Sequence, residues 1–160
     1  ESKDQAWRTS DEIIKQLALN RTIPEIKGSM HYSAKFLKKN PLSLKENLLR
    51  EHYRYPSLTP VNPLVTPVIP DQPGKPLIQK EGSDIVLSWQ KNENGSMFVI
   101  YRFRKLQRTK IDRPDKIISV TSYQKLLLNA AKGYKPARYR YVVTALSPTH
   151  AESTPAKFKK

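Results

Sequence analysis

Three side chains able to ligate a metal or shuttle a proton, His31, His52 and His150, are the first place to look for chemistry, and no cysteine accompanies them. Without a thiol there is no disulfide framework, no thiolate zinc site and no cysteine nucleophile, although the redox compartment stays open because exported proteins need not carry disulfides. The histidines share no ligand-like spacing such as i, i+4 on one helix, so they read as ordinary residues; no metal and no cofactor is expected.

The other chemistry on offer is charge. The chain holds 29 Lys and Arg against 14 Asp and Glu, a net +15. Residues 1–74 contain 11 cations and 8 acids and residues 75–160 contain 18 and 6, so the second half carries +12 of the total. Its cations, Arg102, Arg104, Lys105, Arg108, Lys110 and Arg113, then Lys132, Lys135, Arg138 and Arg140, alternate along strand-like segments. Alternation predicts them on the solvent face of a sheet. Such a face is either an electrostatic footprint for phosphates, anionic polysaccharide or an acidic membrane surface, or a solvated face that aids solubility. No arginine-rich block, zinc finger or aromatic RNA-binding signature accompanies the charge, which argues against nucleic acid as the partner. No run approaches the roughly 18 apolar residues of a membrane-spanning helix, and the N-terminus lacks a basic-then-apolar pattern. Neither a span nor a signal peptide is expected in this chain.

The elements that must position these groups fall into two kinds. From Pro73 onward, short runs of period two are separated by turn signals every 8 to 12 residues or so, the pattern of an all-β sandwich. Lys75 to Gln79 is an extended run, and Glu81-Gly82-Ser83 a turn. Ile85, Leu87 and Trp89 alternate with Val86 and Ser88 in a strand, and Asn92 to Ser96 is a polar turn. Met97 to Leu106 carries Phe98, Ile100 and Arg102 on one face and Val99, Tyr101 and Phe103 on the other, so it reads as a central strand with apolar weight on both sides. Lys116 to Thr121 and Tyr123 to Asn129 are short edge strands, and Lys132 to Pro136 is a turn. Tyr139, Tyr141, Val143 and Ala145 then alternate cleanly with Arg138, Arg140, Val142 and Thr144.

These residues resemble the fibronectin type III domain over about residues 73–160: a lead-in with Pro70, Pro73 and Pro76, an Ile85-Val86-Leu87-Ser88-Trp89 strand, a Phe98-Val99-Ile100-Tyr101-Arg102 strand, and Tyr139 to Ala145 near the end. The resemblance implies structural roles for Trp89, between the sheets, and for Tyr139 as a tyrosine corner, with Tyr141 beside it. Leu146-Ser147-Pro148-Thr149-His150 stands where a glycine-bearing turn is common, which predicts an unusual last connection.

The first third is different. Residues 2–21 read as an amphipathic helix, with Trp7, Ile14, Leu17 and Ile13 toward one side and Ser10-Asp11-Glu12 favouring a helix start. After Pro24, Ile26 to Ala34 reads as a strand, and Lys35 to Lys39 as a helical turn stopped by Asn40-Pro41. Ser43 precedes Glu46 by three residues, which predicts a capping box opening a helix over 43–54, with Leu44, Leu48, Leu49 and Tyr53 on its apolar side. A lone strand between helices has both edges unpaired, so this part must borrow a sheet from elsewhere. Seven prolines within residues 56–76, interleaved with Leu58, Val61, Leu64, Val65, Val68 and Ile69, predict an extended connector that lies along a protein surface.

The run Ile26 to Leu37, the Asn40-Pro41 stop, the exit Tyr53-Arg54-Tyr55-Pro56-Ser57-Leu58-Thr59-Pro60 and the fibronectin-like tail together resemble the C-terminal end of the glycosyl hydrolase-like 10 family, bacterial (β/α)8-barrel proteins with a β-sandwich after the barrel. The resemblance implies a mixed fold: a helix-strand-helix remnant of a (β/α)8 barrel at 1–55, a proline-rich connector at 56–74 and a fibronectin type III-like sandwich at 75–160. In such a barrel catalytic groups sit at the C-terminal ends of strands. Here that is the neighbourhood of Tyr32 and Ser33, which become candidates to line a sugar subsite. Glycosidases need two carboxyl groups flanking the scissile bond, and this segment supplies neither: Glu25 falls at the start of the strand and Glu46 in the capping box. The resemblance therefore implies a non-catalytic portion of a glycoside hydrolase, with no catalytic residue of its own. The remainder of the barrel and carbohydrate are its partners, and its place is extracellular, periplasmic or at the cell surface. Two other readings stay open, a basic binding module for anionic polysaccharide or nucleic acid, and a structural or adhesive extracellular module.

Overall fold

The computed structural model describes residues 8–61, 64–90, 95–128 and 135–156. The chain divides into two compact units, residues 1–55 and 56–160.

The first unit is helical. Helix α1 spans Asp11–Thr22, α2 Ala34–Lys39 and α3 Leu44–Glu51, with a 3-10 turn at Pro41–Ser43. The helix expected over 2–21 thus opens at Asp11, its first turn carrying Asp11 and Glu12 where acids suit the positive end of the helix dipole; residues 2–7, Trp7 among them, lie outside the described residues. Leu17 of α1 closes on Leu44 and Leu48 of α3, with Ile13, Ile14 and Leu37 packed around them.

The strand expected at 26–34 does not form. Residues 26–33 are irregular, and α2 begins at Ala34. A strand is held by a ladder of partners, and no strand among the described residues of this unit can provide one. The capping box does not form either. Leu42 and Ser43 are both left-handed, at φ 55°, so Ser43 lacks the extended backbone of an N-cap and makes no side-chain cap bond. Asn40 takes over: left-handed at φ 48°, it ends α2 with its own N–H on the Phe36 carbonyl. Its Oδ1 accepts the Lys45 N–H at 2.8 Å, and its Nδ2 donates to Glu46 Oε2 at 2.7 Å. That contact holds the Glu46 carboxyl below the usual carboxylate range. Helix α3 stops at Glu51 rather than 54, with the N–H groups of both His52 and Tyr53 sharing the Leu48 carbonyl.

The second unit is a β-sandwich. Its strands are β1 Leu77–Glu81, β2 Asp84–Ser88, β3 Met97–Arg104, β4 Ile117–Thr121, β5 Lys125–Leu127 and β6 Tyr139–Leu146, arranged as sheets β1-β2-β5 and β4-β3-β6, every pairing antiparallel. Gly82, at φ +61°, makes the tight β1–β2 hairpin, in which Glu81 faces Asp84. The turn residues 92–94 and 132–134 lie outside the described residues. Strand β6 runs beside β3 over the full length of both, from Met97 opposite Leu146 to Arg104 opposite Tyr139.

Alternation along β3 separates two apolar clusters. Phe98 and Ile100 face the other sheet with Leu87, Trp89, Leu128, Tyr141, Val143 and Ala145. Val99, Tyr101 and Phe103 point the opposite way with Ile117, Val142 and Leu146, and Leu58 of the connector and Ile111 pack against them. The proline-rich segment touches the sandwich at its two ends: Leu58 packs there, whereas Val61, Leu64, Val65, Val68 and Ile69, expected to lie along a surface, are exposed. Pro70 and Pro73 are buried, Gln72 Nε2 donates to Thr154 Oγ1 at 2.9 Å, and the Gly74 N–H bonds the Gln90 carbonyl at 3.0 Å.

The connection after β6 manages without glycine. His150 takes the left-handed φ of +64°, the Ser147 N–H bonds the Ala151 carbonyl, and Ser147 Oγ accepts the Ala151 N–H. The chain then returns alongside β6 through a single bridge, Leu146 to Glu152.

At Gly74 a Cβ would stand 2.8 Å from Gln90 Cβ, whereas at Gly28 it would meet nothing within 4 Å. Gly74→Ala is expected to lower unfolding stability by about 1–3 kcal/mol as an overpacked contact, and Gly28→Ala to change it by less than about 0.5 kcal/mol; chemical denaturation of the two variants compares them directly.

Candidate functional site

Tyr32 and Ser33 stand just before α2, joined by a cis peptide bond, and border a cleft of about 400 Å³ between α1 and the 29–33 segment. Tyr32 is 100% exposed. Ser33 occupies the N-cap position of α2 without a side-chain cap bond. Gln16, Asn20, Ser29 and His31 contribute polar groups to the wall and Phe36 an apolar one, and no Asp or Glu is among the described lining residues. The segment is anchored by His31, whose Nε2 lies 3.0 Å from the Tyr53 hydroxyl with the two rings edge-to-face. His31 itself is half-buried. His52 serves the same end of the unit, its Nε2–H donating to the Ile14 carbonyl at 3.0 Å while its own carbonyl accepts from Arg21. The cleft can hold a neutral polar ligand by hydrogen bonding and stacking. With no carboxyl among its described lining residues, it does not present the paired carboxylates that glycoside hydrolysis uses.

In the sandwich, Trp89 is buried in the inner cluster and meets the Phe98 ring edge-on at 5.6 Å; Tyr141 is buried beside it, and half-buried Tyr139 packs against the same cluster. The cations do not follow the expected solvent-facing row. Arg102 and Arg104 continue the inward row of Phe98 and Ile100, opposite Tyr141 and Tyr139, while Arg140 pairs with Phe103 on the outward row. Both rows run out of apolar residues at the same end of the sheet, so the charges gather there.

A polar network that sequence reasoning missed sits on the outward face. Glu152 Oε1 accepts the Tyr101 hydroxyl at 2.7 Å and the Thr144 hydroxyl at 2.5 Å, both donors being fully buried. Burial first, then the bond to Glu152 and the proximity of its charge, push the Tyr101 phenol well above the ordinary tyrosine range. The only hint in the sequence was a hydroxyl at the centre of an otherwise apolar row.

Compared with known proteins, the chain matches "Glycosyl hydrolase YngK" of Bacillus subtilis (strain 168) at 33% identity over 161 residues, covering 96% of this chain and 31% of that protein. The chain is related to a glycosyl hydrolase. It spans about a third of the length of that curated relative. No protein-family model matches it. Among solved structures, "FN3tt mut" aligns with a TM-score of 0.41 at 16% identity over 54% of this chain and 89% of its own. The glycoside hydrolase domain of Endo-D from Streptococcus pneumoniae R6 aligns at 0.39 and 15% over 56% and 14%, and a Fn3-like protein from Clostridium thermocellum at 0.35 and 20% over 60% and 100%. Scores this low carry no argument, and the sandwich of this glycosyl hydrolase-related chain rests on its own strand order.

For a phenol whose pKa is raised on folding, stability is whole below the unfolded value and declines as pH climbs beyond it. Above about pH 10, the ordinary tyrosine value, unfolding should become easier as Tyr101 is held protonated in the fold. Tyr101→Phe is expected to be less stable near neutrality and to lose part of this alkaline decline. Denaturation midpoints across pH 8 to about 11 check it, and an unchanged alkaline slope in the variant would contradict it.

Proposed function

We propose that this chain is the non-catalytic C-terminal portion of a bacterial glycoside hydrolase of the glycosyl hydrolase-like 10 kind, its first unit completing a (β/α)8 barrel and its sandwich serving as an accessory or packing domain. The observation that carries this reading is the 33% identity along 96% of the chain to 31% of the length of a glycosyl hydrolase. The exposed apolar side chains of the irregular segment, Ile26, Met30 and Tyr32, support it, because residues patterned as a strand and left without a ladder present both backbone and apolar surface to whatever completes them.

On this reading the carboxylate pair lies in the upstream barrel, Tyr32 and Ser33 lie beside the sugar path, and the partners are the rest of the barrel and a carbohydrate. The relation to a glycosyl hydrolase supports an extracellular, periplasmic or cell-surface setting; among the described residues no helix is long and apolar enough to cross a membrane.

The chain alone should turn over no oligosaccharide in a panel of linkages, and hydrolysis by it would sink the proposal. In the complete parent protein, the amides of residues 26–33 are expected to exchange about a hundredfold more slowly than in the chain alone, as a paired barrel strand would. Equal rates would place the segment outside any sheet.

A further inference from the structure

The charges gathered where β3 leaves and β6 enters the sandwich make a built feature. A cleft of about 420 Å³ opens there between the two sheets, walled by Pro76 and Ile78 on one side and by Lys105, Tyr139 and Arg140 on the other. A second hollow of about 500 Å³ adjoins it, sharing Lys105 and Tyr139 and adding Arg104 and Arg138.

Two of the arginines near this opening are fixed. Arg140 donates through Nη2 to the Lys105 carbonyl at 2.8 Å and through Nη1 to Thr109 Oγ1 at 3.1 Å. The Arg102 guanidinium lies over the Tyr139 ring, 5.0 Å from its centroid. The Lys105 N–H bonds the Arg138 carbonyl, which ties the two loop ends together. Arg104, Lys105 and Arg138 are exposed, and among the described residues no carboxylate pairs with them. Arg113 and Lys116 behave differently, both being paired with the single Asp115 carboxylate at 2.9 Å. The acids of the other sheet, Glu81 and Asp84, sit at the opposite end of their strands, and Glu152 at the opposite end of β6. Four cations held together at close quarters repel one another, so an anion of matching spacing gains from all of them at once.

We propose that this opening binds an acidic saccharide chain, carboxylated or sulfated, with Arg104, Lys105, Arg138 and Arg140 on its anionic groups and Pro76, Ile78 and Tyr139 against the apolar faces of its rings. One face of Tyr139 is taken by Arg102 and Tyr141 is buried. The site thus lacks the open aromatic platforms on which a single nucleic acid strand stacks its bases, and suits a ligand read by charge and ring edge. The choice of a saccharide among polyanions rests on the glycoside hydrolase reading above, whereas the cationic cleft does not.

The test is binding of the whole chain to polygalacturonate, dextran sulfate, neutral dextran and single-stranded DNA. Polygalacturonate or dextran sulfate should bind, with affinity falling about a hundredfold between roughly 25 mM and roughly 150 mM salt for three to four contacts. Which of the two binds tighter assigns the carboxylate or the sulfate. Arg104→Ala/Arg138→Ala should lower the slope of log affinity against log salt by about 1.4. Lys38→Ala/Lys80→Ala, which removes the same charge from elsewhere, should leave that slope unchanged. Both double variants alter exposed side chains, and their unfolding midpoints confirm that they fold. No binding of either acidic polymer at low salt, equal binding of neutral dextran, tighter binding of DNA, or equal loss in the two double variants would each overturn the site. None of these results would touch the barrel proposal, which stands on hydrogen exchange in the parent protein.

Discussion

A strand that is apolar on both faces has to be covered on both. In this chain that strand is β3, whose Phe98 and Ile100 close the space between the sheets while Val99, Tyr101 and Phe103 are equally buried on the far side. A sheet containing it is a middle layer rather than an outer one. The far side needs a lid, and the proline-rich segment is drawn onto it through Leu58. The Leu58 end of the connector is thereby part of the sandwich, and the Glu152 carboxylate, pinned by Tyr101 and Thr144, belongs to the same cover. The end of the sheet where the apolar rows give out is where its arginines collect.

Period-two alternation made much of the sandwich legible. The strands near Ile85, Met97, Lys116, Tyr123 and Tyr139, the Gly82 turn and the two-sidedness of β3 could all be read because each depends on neighbours two residues away. The glycine-free loop after Leu146 was visible as an anomaly, but its solution, a left-handed His150 over a Ser147 hydroxyl, depends on a conformation no residue type dictates. Glu152 was invisible because its partners lie 51 and 8 residues earlier in the chain.

The helical unit shows the complementary failure. Ile26 to Ala34 has strand-like residues, yet a strand is a relation between segments, and a local pattern does not contain its partner. The capping box was likewise a local pattern, overruled when the 3-10 turn put Ser43 in the left-handed region and left Asn40 to hold both helix ends. Tyr32 and Ser33 do share a cleft wall, but it was family likeness, and not a pattern in their own neighbourhood, that singled them out.

The cover that Leu58 places over β3 is open to direct measurement. Leu58→Asp in the whole chain sets a carboxylate against that buried face, while Val61→Asp, three residues on and 41% exposed, sets the same charge in solvent. Denaturation followed by tryptophan fluorescence should show Leu58→Asp losing about 2 kcal/mol or more and Val61→Asp changing by less than about 0.5 kcal/mol. Equal stability of the two variants would contradict the three-layer reading and return the connector to the role of a loose tether.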